Sequence, residues 1–325
     1  MNLHKDPEAF KTLLNDIHSK TSYRLDVLEK DYYVVLLLKE LSIKQEEGLK
    51  AYFKGGTALY KALKLTNRFS EDIDITVDTR GLTRSQNEKM LALASKDYKE
   101  LARDKGQGFS HRQEVVSVYT YNPLFTFDTN DLLQRFGKVK IEATSFTISE
   151  PYEKTIVYPL IYFLASQDQK MILENTYDVK PFNVLTSTIE RIFIDKLFAA
   201  EAYTRKSDDT GKAFEVAKHI YDLSIILHNS NIDILLKDNN KMKYLLDIRI
   251  KEEQNRLDGI PGVLPKDFIF FDNLMNNDAI KNAYTIMQSQ YIFQDKDKKT
   301  YTEIINDLQA IKNKLYNNKT WTNYS

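Results

Sequence analysis

Apolar residues recur three and four positions apart through PEAFKTLLNDIHSK (7–20) and RLDVLEKDYYVVLLLKELSIK (24–44), the period of helices with a buried face. Pro7 stands where a first helical turn tolerates a residue without an N–H. The period then changes to two. AYFKG (51–55), DIDITV (72–77), EVVSVYTY (114–121), KVKIEATSFTI (138–148) and TIVYPLIYFL (155–164) are rich in β-branched and aromatic residues and predict strands. Between the second and third, TRSQNEKMLALASKDYKELARD (83–104) predicts a helix that starts on a Thr cap. From about residue 183 the helical period takes over, in 186–206, 212–227, 240–257, 279–293 and 301–316. DGIPGVLPKD (258–267) crowds two glycines and two prolines into a loop between helices. The pattern predicts an α+β chain, with an α/β domain and its N-terminal helices over 1–175 and a helical domain over 176–325. The boundary falls between 165 and 185.

Composition narrows the class. With 325 residues, 42% apolar and 28% charged, the chain can bury a sizeable core and form two domains. The absence of cysteine excludes disulfides and thiolate zinc sites and fits a reducing compartment. The 46 basic and 46 acidic side chains cancel, so a uniformly basic nucleic-acid-coating surface is not expected, although a local basic patch is compatible. The opening residues carry no apolar signal core, and YYVVLLLKEL is too short to span a bilayer. A cytoplasmic protein that does not engage membranes is expected.

The chemistry concentrates in YFKGGTALYKALKLTNRFSEDIDITV (52–77). Gly55 and Gly56 sit where a strand hands over to a helix, a place where absent Cβ atoms let an anion approach the backbone. Thr57 could add a hydroxyl to the same anion. No Gly-Lys-Ser/Thr follows, so this is not a P-loop. Asp72 and Asp74 are two apart in a strand and therefore share a face, where two carboxylates repel unless a cation offsets them. Magnesium suits such oxygen ligands and leaves positions for phosphates. A lone Asp-x-Asp equally fits an exposed acidic strand face. Glu142, between Ile141 and Ala143, would complete a three-carboxylate cluster able to hold two divalent ions; alternatively it pairs with Lys138 or Lys140.

A strand, Gly-Gly-Thr opening a helix, Asp-x-Asp in the next strand and a lone acid later resembles the DNA polymerase β-like nucleotidyltransferases. More narrowly, KGGTALYKALKLTNRFSEDIDI is similar to the signature of the AbiEii family, nucleotidyltransferase toxins of abortive-infection toxin–antitoxin systems for phage defence, to which the MenT toxins are related. LEKDYYVVLLLKEL, KIEA and ERIFIDKLFAAEAYTRK…KHIYDL extend the resemblance over about residues 26–228. It implies a polymerase β-like nucleotidyltransferase domain followed by a helical domain. It also implies Mg2+ or Mn2+ on Asp72, Asp74 and Glu142, with Lys54, Gly55, Gly56 and Thr57 facing nucleotide phosphate. Lys196 would reach the triphosphate, Asp222 would be an acid needed for activity, and Arg68 and Ser70 would brace the metal-bearing strand or touch phosphate. The implied partners are an NTP, an RNA acceptor such as the tRNA 3′ end, and a cognate antitoxin. A Lys218-His219 pair replaces the basic-acidic pair usual ahead of YDL.

Other readings stay open from the residues alone. Lys196 would snorkel from a helix face to water, and Asp222 would pair with Lys218 one turn away. An Asp-x-Asp also serves retaining glycosyltransferases that use nucleotide sugars, and a pocket without turnover would make a nucleotide-binding module.

Overall fold

The computed structural model describes residues 2–21, 23–111, 113–125, 136–146, 150–256, 259–292 and 294–324. Its strands are β1 (Ala51–Lys54), β2 (Ile73–Val77), β3 (Ala102–His111), β4 (Glu114–Thr120), β5 (Lys138–Thr144), β6 (Tyr152–Val157) and β7 (Phe182–Ser187). The helices before β7 are α1 (Pro7–Lys20), α2 (Leu25–Glu46), α3 (Gly55–Lys61), α4 (Arg84–Ser95), α5 (Leu160–Leu164) and α6 (Gln167–Tyr177). After it come α7 (Ile189–Thr204), α8 (Thr210–Ile226), α9 (Ser230–Lys237), α10 (Asn239–Glu253), α11 (Phe270–Asn273), α12 (Asp278–Tyr291), α13 (Tyr301–Asn317) and α14 (Lys319–Asn323). The fold is α+β and divides into two compact units: Met1–Lys64 with Phe69–Ser187, and Leu65–Arg68 with Thr188–Ser325.

The first unit holds one mixed sheet in the order β3-β4-β5-β2-β1-β7-β6. β2 runs parallel to β5 with Ile73 opposite Ile141 and Asp74 opposite Glu142, and antiparallel to β1 with Lys54 opposite Asp74. The Tyr119 hydroxyl donates to the Ser95 carbonyl at the end of α4 (2.8 Å), which identifies the sheet face that helices cover. Register places Val115, Ser117, Val139, Ile141, Ala143, Ile73 and Ile75 on that face, all buried. By alternation, Lys54, Asp74, Lys140, Glu142 and Thr144 share the opposite face.

Buried charges lock the N-terminal helices to the sheet. Asp31 on α2 pairs with Lys61 on α3 and accepts the Leu160 N–H at the start of α5 (2.6 Å). Lys30 donates to the Lys138 carbonyl at the start of β5 and lies 3.6 Å from Glu71. The helix expected from Thr83 begins there with a reciprocal capping box to Gln86.

The second unit centres on α7, which is buried nearly all round and packs against α8. Arg191 and Arg249, both buried, pair with Glu252, Glu253 and Asp195. Trp321 on α14 is fully buried against Phe268, with ring centroids 5.4 Å apart.

Four expectations change. The first unit runs to Ser187 rather than 175, because FNVLTS forms β7, parallel to β1 and antiparallel to β6. LIYFL, read as strand, is α5, since Pro159 and the Asp31 carboxylate start a helix there. The helix from Thr83 stops at Ser95, and Ala102–His111 is strand β3. That strand escapes a hydrophobicity reading because it is a largely exposed, polar edge with a register shift between Asp104 and Gly108. The expected strand 138–148 ends at Thr144; residues 147 and 148 lie outside the described set.

Candidate active site

Three acids predicted far apart in sequence meet on one face of the first unit's sheet. Parallel pairing sets Asp74 beside Glu142, and Asp72 lies two residues earlier, just before β2. The cation that keeps them together is Lys140. Its Nζ lies 3.0 Å from Asp72 Oδ2 and 2.6 Å from Glu142 Oε1. Both pairs are partly wetted, with side-chain exposures of 41% for Asp72, 30% for Glu142 and 38% for Lys140. Burial would lower the Lys140 pKa, but Asp72 and Glu142 outweigh it and hold the ammonium well above the ordinary lysine range. Sequence reasoning offered Lys140 only as a partner for Glu142. The two-residue spacing from Glu142 puts it on the same face, but its reach to Asp72 depends on the β2–β5 pairing.

Asp74 is half-buried. Burial, then Glu142 and Asp72, push its pKa up to about 7, while Lys54 and Lys140 oppose the shift. Its carboxylate packs against Gly55, whose φ is +80° and where a Cβ would collide with Asp74 Oδ2. The positive φ of the turn thus requires glycine, and any side chain there would also have to displace the Asp74 carboxylate. Lys54 on β1, opposite Asp74 on β2, donates to Thr144 Oγ1 (3.0 Å).

Thr57 is fully buried on α3, and its hydroxyl donates to the Asp72 backbone carbonyl and lies 2.9 Å from the Ser70 hydroxyl. These contacts make Thr57 and Ser70 braces for the segment that carries Asp72. Gly56 is half-buried in the first turn of α3.

Arg68, Lys196 and Asp222 form a separate cluster, inside the second unit. Arg68 grips the Asp222 carboxylate with two N–H groups, at 3.0 and 2.7 Å, and Lys196 Nζ lies 2.6 Å from the same carboxylate. All three are buried. Burial would raise the Asp222 pKa, but Arg68 and Lys196 hold it far below the usual carboxylate range. Lys196 therefore ends on Asp222 and does not snorkel to water, and Lys218 pairs with Glu215 instead of Asp222. Burial and the nearby Lys196 hold His219 well below the ordinary imidazole pKa, and its ring stacks on Tyr203 with centroids 5.6 Å apart.

The hard carboxylate oxygens of Asp72, Asp74 and Glu142 suit a divalent cation. Oxygens from Asp72 and Glu142 converge on the ammonium of Lys140. Among the described residues no three acidic or histidine side chains are yet disposed around one point as ligands. Also among the described residues, no helix is long and apolar enough to cross a membrane.

A family model described as "Nucleotidyl transferase AbiEii toxin, Type IV TA system" matches residues 36–313. No curated protein matches the chain. Among solved structures, the crystal structure of JHP933 from Helicobacter pylori aligns over 86% of this chain and 91% of that one, at 16% identity and a TM-score of 0.40. The family match spans most of the chain and takes in every candidate residue named above: the protein belongs to the AbiEii nucleotidyl transferase toxin family of type IV toxin–antitoxin systems.

Proposed function

We propose that the protein transfers a nucleoside monophosphate from an NTP to a hydroxyl of an RNA acceptor, with the tRNA 3′ end as the preferred class, and that this modification arrests growth until a cognate antitoxin counters it. The observation that carries this reading is the register of β2 against β5, which sets Asp74 beside Glu142 and leaves Asp72 within reach of the cation that Glu142 also holds. Asp72, Asp74 and Glu142 are the residues that would hold Mg2+ or Mn2+. Bound there, the metal would lower the pKa of the attacking hydroxyl and neutralise charge on the triphosphate and leaving pyrophosphate.

The chain's own residues supply alignment. Thr57, itself held by Ser70, fixes the backbone at Asp72. Lys54, beside Asp74 on the same face, brings a positive charge to where phosphate would lie. The family resemblance would put Lys196 and Asp222 on the triphosphate side; within the second unit they pair with each other and with Arg68. A nucleotidyl rather than glycosyl donor is favoured by the family membership.

The direct test incubates purified protein with each labelled NTP in turn, Mg2+ or Mn2+, and total tRNA. Label should move from one NTP to the RNA and should not move with Asp72→Ala. Absence of transfer with all four NTPs and both metals would sink the proposal.

A further inference from the structure

We infer that Lys140 is the resident counter-cation of the acidic site, and that divalent metal is taken up by exchange for its ammonium rather than by filling a waiting cage. The inference deepens the proposed function and rests on its metal-binding reading. Three observations carry it. The Lys140 Nζ sits between Asp72 Oδ2 and Glu142 Oε1 at 3.0 and 2.6 Å, where a bridging cation would draw on the same two oxygens. Among the described residues no three-acid set is otherwise disposed as ligands, with Asp74 turned against Gly55. Lys140 is 38% exposed on a flexible four-carbon stem, so it can swing away without breaking a core contact.

Chain geometry sets the Lys140–Glu142 half of the arrangement, and the β2–β5 pairing brings in Asp72. Lys140 and Glu142 are two apart on β5 and share a face, so the lysine is always within reach of the glutamate. A resident ammonium offsets part of the repulsion among the three carboxylates in the metal-free protein. It also competes with any incoming cation, which keeps the site weak until the metal arrives with additional ligands such as nucleotide phosphates.

The test measures Mn2+ binding to the nucleotide-free, full-length protein by electron paramagnetic resonance, for wild type, Lys140→Met, Lys140→Gln and Lys140→Arg. Circular dichroism melts confirm that each variant is folded. The neutral variants should bind Mn2+ roughly three- to tenfold more tightly, the scale expected on losing two partly exposed ion pairs. Lys140→Arg should stay at or below the wild-type affinity. In the wild type, saturating Mn2+ should raise the rate at which an amine-acylating reagent modifies Lys140, read by mass spectrometry. Unchanged or weaker Mn2+ binding in both neutral variants, or unchanged Lys140 labelling at saturation, overturns the exchange while the metal-binding reading stands. Failure of wild type and variants alike to bind Mn2+ overturns both.

Discussion

Asp72 keeps 41% of its side chain in water and meets Lys140 there, whereas Glu29 on α2 is 1% exposed. The two acids should therefore respond differently to neutralisation. An exposed ion pair contributes about 0.2–1 kcal/mol, so Asp72→Ala should change stability by no more than about 1 kcal/mol while abolishing transfer. Urea denaturation beside the tRNA labelling assay checks both halves, and a variant that melts out at room temperature would make Asp72 structural. Burial first, then Asp26, raise the Glu29 pKa to about 7 against a hydrogen bond from the Leu124 N–H (2.8 Å). A raised acid pKa means that the folded state binds the extra proton. Below about pH 4.5 the group is protonated folded or unfolded, and no penalty exists. The penalty grows as pH rises from there to about 7 and is constant above, reaching about 3 kcal/mol. Glu29→Gln keeps an oxygen for the Leu124 N–H, so it should raise the melting temperature at pH 8 and leave it unchanged at pH 4. Equal melting curves for variant and wild type at pH 8 would count against a raised Glu29 pKa.

At the scale of elements, α2 shows how far sequence reasoning reached. Its helical period was plain in RLDVLEKDYYVVLLLKELSIK, as was the two-residue alternation of DIDITV and KVKIEA that puts acids on one side and isoleucines on the other. The Thr83 cap was readable because capping is local chemistry. What could not be read were partners set by pairing. LIYFL resembles a strand until Asp31, far back on α2, takes its first N–H. Polar, exposed β3 has no buried face to betray it. Lys140 was visible beside Glu142, but its hold on Asp72 follows from which strand β2 chooses as neighbour. The same non-local logic gives a prediction for α2 and α3. Asp31 and Lys61 are both nearly fully buried, so Lys61→Met strands a carboxylate in the interior and should destabilise by about 3–5 kcal/mol. Adding Asp31→Asn should recover most of that loss in urea melts, since a neutral amide can stay without a counter-charge. No recovery in the double variant would mean that Lys61 acts through its packing rather than its charge.

At the scale of the whole molecule, the second unit draws Leu65–Arg68 from the stretch between α3 and β2 and holds it by several ties. Arg68 bridges to Ile292 through the backbone, Asn67 donates to Asp297 (2.9 Å), and Asp222 takes both Arg68 and Lys196. Removing Asp222 therefore leaves two buried cations facing one another, a change that should cost about 3–5 kcal/mol in the second unit. Loss of transfer in Asp222→Ala would then have two sources, chemistry and a loosened unit, whereas in Asp72→Ala it has only one. Native-state hydrogen exchange separates them. Asp222→Ala should speed exchange in residues 65–68, α7 and α8 while the amides of β2 and β5 keep wild-type protection. Asp72→Ala should leave all of these regions protected. Lost transfer in Asp222→Ala with wild-type exchange throughout the second unit would assign Asp222 to the reaction itself and remove its structural role. Faster exchange with transfer retained would leave Asp222 as a pin for Arg68 and nothing more.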